Sequence, residues 1–283
     1  MEFEKWQALG NDYVIIEAAD LPFELTAPRI QAICAAHTGV AADGILLLSE
    51  AEQPGYIARL RIFNPDGSEA ELSGNGAREA VMYLHRHHWT DADSFAIETP
   101  AGEIRPQITS AAECTVDLGR AQVQSAGYPS GADDGRGELV AGGRTWRFQH
   151  VQVGNPQCAI RVADAAELAS LDLQAVGPGI EHHELFPNRT NVSWFAELDR
   201  GRIRARIFER GVGETSASGT GATGAAVAYV LDGGSSPVTV VLDGGELRVE
   251  VGDELEIKLS GWAVPVFRGT LAEAFVEELH ATK

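Results

Sequence analysis

The stretch RIFNPDGSEAELSGNGAREAV, residues 61–81, decides the fold, because it can be laid without gaps on RIFERGVGETSASGTGATGAA, residues 206–226. Nine of the 21 aligned positions are identical, all at one offset of 145 residues. A fainter match at nearly the same offset pairs the tripeptides that end at Asn11 and Asn155. Self-similarity at a fixed spacing is the mark of a duplicated unit. We therefore expect two like halves, with the active site at the seam between them.

Each copy of the repeat has the same order of local signals. A strand-like Arg-Ile-Phe is followed by a polar turn, then by Ser-Gly-x-Gly-Ala, and then by a helical run. Glycine lets the backbone turn sharply and lets a ligand approach it closely. The first N–H groups of a helix have no hydrogen-bond acceptor within the helix and can therefore bind a carboxylate. Ser73 and Ser218 are therefore predicted at two helix starts that bind an anion.

The chain resembles the diaminopimelate epimerase family and the wider cofactor-independent amino-acid racemases and epimerases of the same fold. The resemblance covers almost the whole chain, and the order and spacing of its pieces are far more specific than a lone glycine motif. The matching pieces are ALGNDYVIIE (8–17), TGVAADGILLL (38–48), FNPDGSEAELSGNGAR (63–78), GNPQC (154–158), GPGIEHHELFPNRTNV (177–192) and ERGVGETSASGTGA (209–222).

The resemblance implies a two-base proton transfer at the α-carbon of the substrate. In that family two thiols face each other across this carbon, one removing the proton and the other delivering one to the opposite face. Both matching positions are serine here, at Ser73 and Ser218. The family histidine that partners the first thiol is replaced by Gln157, whereas Glu209, which matches the partner of the second, is retained. The resemblance thus assigns the catalytic positions to Ser73, Ser218 and Glu209.

These replacements leave several readings of the function open. A thiol has a pKa of about 8.5 and an alcohol lies several units higher, which adds on the order of 5 kcal/mol to the barrier. The chain is then a slow epimerase, a protein that binds a diamino acid without turnover, or an isomerase that uses Glu209 as its single base. Natural divergence accounts for the two serines and Gln157 together, whereas a deliberate Cys→Ser exchange accounts for the serines alone.

The resemblance also implies the substrate, 2,6-diaminopimelate, whose LL and meso forms are interconverted in lysine and peptidoglycan biosynthesis. A ligand with an amino-acid group at each end suits the polar residues at the matching positions, because arginine grips a carboxylate, glutamate accepts from an ammonium, and asparagine does both. The alternative reading is that the asparagines are turn residues and that Glu209 and Arg210 form a surface pair. The implied side-chain contacts are Asn11, Asn64, Asn155, Asn191, Glu209 and Arg210, and the implied backbone contacts are Gly74, Asn75, Gly219 and Thr220.

The predicted fold class is α+β, with two pseudo-symmetric domains. The resemblance implies that each is a curved, mainly antiparallel sheet or barrel wrapped around a central helix. The predicted halves are residues 1–118, to which 263–283 return, and residues 119–262. Turn signals and periodicity predict strands at 13–17, 58–63 and 246–251, helices at 26–38, 77–88 and 163–171, and an exposed loop at 125–137.

Composition narrows the class of partner and the compartment. The formal charge of −19, from 41 acidic and 22 basic residues, argues against a nucleic-acid partner. Neither a leader peptide nor an apolar run long enough to span a membrane is evident, so a cytoplasmic protein without a membrane partner is expected. Cys34 in a helix, Cys114 between strands, and Cys158 lack metal-ligand spacing. No metal is therefore expected. The resemblance implies that no cofactor is needed, and members of the family often pair, so a homodimer is one expectation for this chain.

Overall fold

The computed structural model describes residues 1–70 and 72–282, and these residues form two compact units. The first unit comprises Met1–Val116 together with the C-terminal segment from Gly261, and the second comprises Asp117–Ser260. Each unit has its own hydrophobic cluster. Within the described residues, no helix combines the length and the apolar character needed to cross a membrane.

The described residues contain nineteen strands and six α-helices, numbered along the chain. The strands are β1 (Glu2–Ala8), β2 (Asn11–Glu17), β3 (Ile45–Ser49), β4 (Ala58–Phe63), β5 (Glu69–Ala70), β6 (Ile97–Thr99), β7 (Gly102–Ile104), β8 (Pro106–Ile108), β9 (Glu113–Arg120), β10 (Arg136–Ala141), β11 (Arg144–Val153), β12 (Asn155–Arg161), β13 (Asn191–Asp199), β14 (Arg202–Glu209), β15 (Gly213–Thr215), β16 (Val238–Leu242), β17 (Gly245–Val251), β18 (Glu256–Trp262) and β19 (Val264–Thr270). The helices are α1 (Ala27–Cys34), α2 (Gly74–Arg86), α3 (Ala165–Ser170), α4 (Leu173–Glu181), α5 (Gly219–Leu231) and α6 (Glu273–Ala281).

The first unit is a sheet curved around helix α2. Its strand order is β19-β1-β2-β3-β4-β6-β7, with β5 beside β4. The pairs β2–β3 and β4–β6 are parallel and the others are antiparallel. Eleven of the thirteen residues of α2 are buried, and the helix contacts β1, β2, β3 and β19. A helix that is buried on all sides belongs to the core, so α2 is the central helix of this unit.

The second unit repeats this plan around helix α5. Its strands run in the order β10-β11-β12-β13-β14-β16-β17-β18, with β15 beside β14. The pairs β12–β13 and β14–β16 are parallel. Eleven of the thirteen residues of α5 are buried, and the helix contacts β11, β12, β13, β14, β16 and β17. Among the described residues, neither strand order closes on itself. The predicted curved sheet is therefore correct, and the closed barrel given as its alternative is wrong.

Several predicted elements differ from the observed ones. The helix predicted at 26–38 ends at Cys34, and the one predicted at 77–88 begins three residues earlier, at Gly74. Cys114 lies within β9 and not between strands. The loop predicted to be exposed at 125–137 contains Tyr128, which is 7% exposed and packs on Phe148 and Phe186 in the core of the second unit.

Candidate active site

The two copies of the internal repeat have the same local structure. In the first copy, Arg61 on β4 donates to both carboxylate oxygens of Glu69 on β5, each at 2.8 Å. In the second copy, Arg206 on β14 donates twice to Glu214 on β15, at 2.9 and 2.6 Å. The strand pairs have matching registers, Phe63 opposite Glu69 and Phe208 opposite Glu214. Each hairpin leads into a central helix, so each unit has a serine at an equivalent helix start.

Ser73 is the N-cap residue of α2. Its backbone is extended, with φ −128° and ψ 124°, and its hydroxyl oxygen accepts a hydrogen bond from the Gly76 N–H at 3.1 Å. The hydroxyl of Tyr13 on β2 donates to the same oxygen at 3.3 Å. Serine is among the residues preferred at an N-cap. Because Gly74 and Asn75 occupy the first two helical positions, their N–H groups have no acceptor within the helix and can hold an anion.

Ser218 is the N-cap residue of α5 and is 4% exposed. Its hydroxyl oxygen accepts a hydrogen bond from the Gly221 N–H at 3.2 Å, the counterpart of the bond at Ser73. A Cβ at Gly221 would lie 2.7 Å from Cγ2 of Ile207, so glycine lets the helix start close to β14. Gly219 and Thr220, at the first two helical positions, are buried and offer the second pair of N–H groups.

A chain of hydrogen bonds joins the turn between β1 and β2 to the start of α2. Asn11 donates through Nδ2 to Asp43 at 2.8 Å, and its Oδ1 accepts from Asn75 at 3.1 Å. The Asn75 Oδ1 accepts from the Arg78 guanidinium at 2.7 Å. Arg78 also donates to the Gly74 carbonyl at 2.8 Å, and its side chain has no solvent exposure. Asn11, Gly74, Asn75 and Ser73 are thus gathered at one place in the first unit.

Asn64 is held differently from these residues, in the turn that follows β4. Its side-chain Nδ2 donates to the Ser68 hydroxyl at 2.9 Å. Its backbone N–H donates to the Ser68 carbonyl at 2.8 Å, and its carbonyl accepts from the Gly67 N–H at 2.9 Å. These contacts match the turn-residue alternative weighed for the asparagines, and Asn64 is only partly buried.

Three candidate residues of the second unit form a row across neighbouring strands. Gln157 on β12 is opposite Asn191 on β13. Val192 is opposite Phe208, so the end of β14 with Glu209 lies beside Asn191. Gln157 has no solvent exposure, and its Nε2 donates to the Asn155 Oδ1 at 2.5 Å. An amide cannot take up a proton at neutral pH, so Gln157 orients Asn155 and supplies no base.

Asn191, Glu209 and Arg210 are connected through the backbone. The Asn191 Oδ1 accepts from the Arg210 N–H at 2.8 Å, and its Nδ2 donates to the Pro156 carbonyl at 3.3 Å. The Glu209 carboxylate accepts from the Thr215 hydroxyl at 2.8 Å. The Arg210 guanidinium donates to the Asn188 carbonyl at 3.0 Å. Asn191 therefore fixes the strand end that carries the carboxylate and the guanidinium.

The three cysteine thiols lie on elements other than α2 and α5. Cys34, Cys114 and Cys158 are free and buried, on α1, β9 and β12. Burial raises the pKa of Cys34 and of Cys114 to about 12, and it raises the pKa of Cys158 well above the ordinary value. Among residues 1–70 and 72–282, no group of three or more His, Cys, Asp or Glu side chains has the arrangement of a metal site. The polar groups at the two helix starts include the Ser73 and Ser218 hydroxyls and the N–H groups that follow them.

Sequence reasoning missed four residues that organise the site. Tyr13 donates to Ser73, Asp43 holds Asn11, and Arg78 holds Asn75. In the second unit, the buried carboxylate of Glu181 accepts from the Gly211 N–H at 2.8 Å and so fixes the turn after β14. All four lie inside the motif pieces quoted above, so membership of these pieces was the available signal.

The chain is similar to known diaminopimelate epimerases. The family model described as "Diaminopimelate epimerase" matches residues 3–124 and 149–263. A diaminopimelate epimerase of Magnetococcus marinus is 42% identical over 275 residues, covering 95% of this chain and 96% of that protein. One of Moorella thermoacetica is 40% identical over 281 residues, covering 95% and 98%.

Solved structures with lower identity share the fold. A probable proline racemase from Agrobacterium radiobacter aligns with a TM-score of 0.71 at 14% identity, covering 96% of this chain and 93% of that one. A predicted epimerase from Pseudomonas aeruginosa aligns with a TM-score of 0.65 at 18% identity, covering 95% and 98%. The family match in both halves and the nearly full-length relatives show that this chain belongs to the diaminopimelate epimerase family.

Proposed function

We propose that this chain interconverts LL- and meso-2,6-diaminopimelate without a cofactor, with Ser73 and Ser218 as the two proton-transfer groups. The observation that carries the proposal is the equivalence of the two serines. Each is an N-cap, and each accepts from the glycine N–H three residues later, at 3.1 and 3.2 Å. Two equivalent hydroxyls at two equivalent helix starts suit a reaction in which one group removes a proton and the other delivers one.

The helix starts also suit the negative charge of the substrate. An anion near a helix N-terminus is favoured by the unpaired N–H groups and by the helix dipole. We assign the carboxylate beside the reacting carbon to the N–H groups of Gly74, Asn75, Gly219 and Thr220. The far amino-acid end is assigned to the polar side chains Asn11, Asn64, Asn155, Asn191, Glu209 and Arg210. Delocalisation of the carbanion charge into a carboxylate held by N–H groups lowers the barrier to proton removal.

The rate expected for serine is low. An alkoxide is less accessible than a thiolate by several pKa units, and about 5 kcal/mol corresponds to a rate lower by roughly 10³- to 10⁴-fold. Hydrogen bonds to the oxygen recover part of this difference, because donors that bind the charged form favour it. We therefore propose a slow epimerase.

A binding protein without turnover is the second candidate, and Gln157 favours it. This residue occupies the position of the family histidine, yet its amide is buried and bonded to Asn155. Loss of a proton acceptor together with retention of the polar side chains is the pattern expected of a protein that holds a diamino acid and does not convert it.

Deuterium incorporation separates the two candidates. The purified chain is incubated with LL- or meso-diaminopimelate in heavy water, and deuterium at the α-carbons and the isomer ratio are followed by mass spectrometry and NMR. The epimerase predicts exchange together with interconversion. Absence of both, with a melting temperature raised by the ligand, supports the binding protein. Exchange without interconversion indicates a one-base reaction, with Glu209 the first residue to substitute.

Matched variants tie the exchange to the serines. Ser73→Ala and Ser218→Ala each remove one hydroxyl and are expected to abolish interconversion while ligand-induced stabilisation remains. The paired substitution Ser73→Cys with Ser218→Cys is the positive control, and it should raise the rate of interconversion by orders of magnitude. Unchanged interconversion in both alanine variants would show that other residues carry the reaction.

The finer partner and location assignments are also proposals. We propose a homodimer formed through β19, which is the edge strand of its sheet and exposes Val266 and Phe267. An edge strand with free backbone groups and apolar side chains pairs readily with another strand. Light scattering should give twice the chain mass, and Phe267→Glu should give a monomer. Three free cysteines suit a reducing compartment, which supports a cytoplasmic protein.

A further inference from the structure

The two serines differ in the number of hydrogen bonds that their oxygens accept. The Ser73 oxygen accepts from the Gly76 N–H at 3.1 Å and from the Tyr13 hydroxyl at 3.3 Å. The Ser218 oxygen accepts from the Gly221 N–H at 3.2 Å, its one donor among the described residues. Tyr13 therefore adds to the first unit a donor that the internal repeat does not supply.

The ring of Tyr13 is held firmly in this position. Tyr13 lies on β2, opposite Trp6 of β1, and is 5% exposed. Its ring packs against the backbone of Gly44, where an added Cβ would lie 2.7 Å from Cε1 of the ring and 2.2 Å from the Phe63 carbonyl. Because Gly44 has no side chain, the Tyr13 ring can pack directly against the backbone there. The phenol is thus held in position before any ligand binds.

A donor directed at a hydroxyl oxygen stabilises the anion of that oxygen. Hydrogen bonds to ionised groups are shorter and stronger than those to neutral groups, so Tyr13 and Gly76 bind the Ser73 alkoxide more tightly than the alcohol. Donors that favour the charged form lower the pKa of the group. The start of α2 acts in the same direction, because its dipole favours negative charge.

We propose that Tyr13 is a positioning residue that supports Ser73 in proton transfer. This inference rests on the proposed function. When Ser73 delivers a proton, its O–H bond breaks, a C–H bond forms at the substrate carbanion, and the electron pair left on the oxygen is stabilised by the two donors. In the reverse direction the alkoxide takes the α-proton and the carbon keeps the electron pair. Between turnovers the Ser73 alkoxide regains a proton from water, and Ser218, which took the α-proton, returns a proton to water.

A thiol introduced by Ser73→Cys reports on these donors without any substrate. Its pKa is read from the pH dependence of iodoacetamide alkylation, with peptide mass spectrometry at position 73. The natural thiols Cys34, Cys114 and Cys158 do not interfere, because burial protects them and raises their pKa. Combining Ser73→Cys with Tyr13→Phe should raise the pKa of the introduced thiol by about one unit, a tenfold loss of thiolate at neutral pH.

Tyr83→Phe is the matched control in the Ser73→Cys background. Tyr83 belongs to the same unit, is 7% exposed, and donates to Glu17 at 2.7 Å, so its substitution also deletes one buried phenol hydrogen bond. It should leave the pKa of the introduced thiol unchanged. Equal thiol pKa values with Tyr13 and with Phe at position 13 overturn the proposal, as does an equal shift in the Tyr83→Phe control.

Deuterium exchange tests the same inference in the natural serine chain. Tyr13→Phe should lower the exchange rate by about tenfold, and it should have no further effect when combined with Ser73→Ala, because Tyr13 acts through Ser73. The proposal is overturned if Tyr13→Phe lowers the exchange rate by the same factor in chains with and without the Ser73 hydroxyl. If the parent chain shows no exchange, the proposed function fails, and the thiol pKa still decides the role of Tyr13.

A second measurement guards against a Tyr13→Phe variant that does not fold. Growth of the Ser73→Cys chain with 3-fluorotyrosine replaces all five tyrosines and makes each phenol a stronger donor. The pKa of the introduced thiol should then fall below its value in the unfluorinated chain. An unchanged or higher value overturns the proposal.

Discussion

Adding a methyl group at Gly224 should destabilise the second unit, because helix α5 lies too close to β12 to accept it. A Cβ at this position would lie 2.8 Å from Cβ and 3.0 Å from Cγ of Gln157, whereas ordinary contacts begin at 3.4 Å. The Gln157 Cβ cannot turn away, since it is fixed to a strand paired with β11 and β13 on its two sides. Gly224→Ala must therefore push α5 away from the sheet.

The expected magnitude follows from two opposing effects. Overpacking of a core costs about 1–3 kcal/mol, and replacing glycine by alanine within a helix contributes up to about 1 kcal/mol in the other direction. Because the contact involves a rigid Cβ, we expect a net loss of about 1–2 kcal/mol. At about 2–4 °C per kcal/mol for a protein of this size, the melting temperature should fall by about 2–8 °C.

Calorimetry with two further variants tests the reasoning. Gly179→Ala is the matched control, because Gly179 lies in α4 and an added Cβ would meet only the Ala141 Cβ, at 3.5 Å. This control should gain about 0.5–1 kcal/mol. In a Gln157→Gly background the cost of Gly224→Ala should disappear. The reasoning is refuted if Gly224→Ala raises the melting temperature as Gly179→Ala does.

Three further outcomes follow from the charges and buried groups of the chain. The formal charge of −19 implies net self-repulsion, which salt screens. Raising the KCl concentration from 0.1 to 1 M should therefore raise the melting temperature measured by calorimetry. A lower melting temperature in 1 M KCl would contradict this. Burial lowers the pKa of His150 to about 4 from an ordinary value of 6.5. The folded state therefore favours the neutral imidazole. This contribution to stability is complete above pH 6.5 and is lost as the pH falls towards 4. Urea titrations should show a smaller acid-induced loss of stability in His150→Phe than in the parent chain, and an equal loss in the two chains would contradict this. Arg78→Met removes the donors to Gly74 and Asn75, so ligand affinity should fall by about tenfold or more. The fold should also lose about 3–5 kcal/mol of stability, because the buried Glu79 loses the neighbouring positive charge. Isothermal calorimetry and denaturant titration measure the two effects, and unchanged affinity would contradict the role given to Arg78.

The parts of the fold that depend on local signals could be predicted from the sequence. The repeat predicted a strand, a turn and a helix in each half, and the structure has β4, β5 and α2 in one unit and β14, β15 and α5 in the other. The serines at the helix starts followed from the Ser-Gly-x-Gly pattern, because N-cap preference and glycine flexibility act within a few residues.

Helix ends that depend on tertiary contacts were predicted less well. The helix at 26–38 stops at Cys34 because the chain folds back there: Val40 donates to the Ile33 carbonyl at 2.7 Å, and Gly39 lies too close to this turn for a side chain. Helix α4 was not predicted, because the Gly177-Pro178-Gly179 sequence indicates a helix break. The helix forms around Gly177, where an added Cβ would lie 2.5 Å from the Phe208 ring.

Two of the contacts that organise the candidate site are long-range, and no periodicity encodes them. Tyr13 reaches Ser73 across 60 residues, and Asp43 reaches Asn11 across 32. The sequence therefore indicated candidate ligand-binding residues and did not indicate which residues hold them in place. Asn64 illustrates the difference, because its side chain is bonded within its own turn.

Serine at positions 73 and 218 changes stability and reactivity in opposite directions. A hydroxyl is a strong N-cap acceptor, contributing about 1 kcal/mol, whereas a thiol is a weak acceptor. The serines therefore fasten the starts of α2 and α5, which carry the N–H groups that we propose as the carboxylate site. The same hydroxyl is a weaker acid than a thiol by several pKa units, so forming the anion that removes a proton costs about 5 kcal/mol more. In the proposed epimerase, the residue that slows the chemistry would thus favour binding of the amino-acid end, and the extra donor from Tyr13 would act on the chemical step at Ser73 alone.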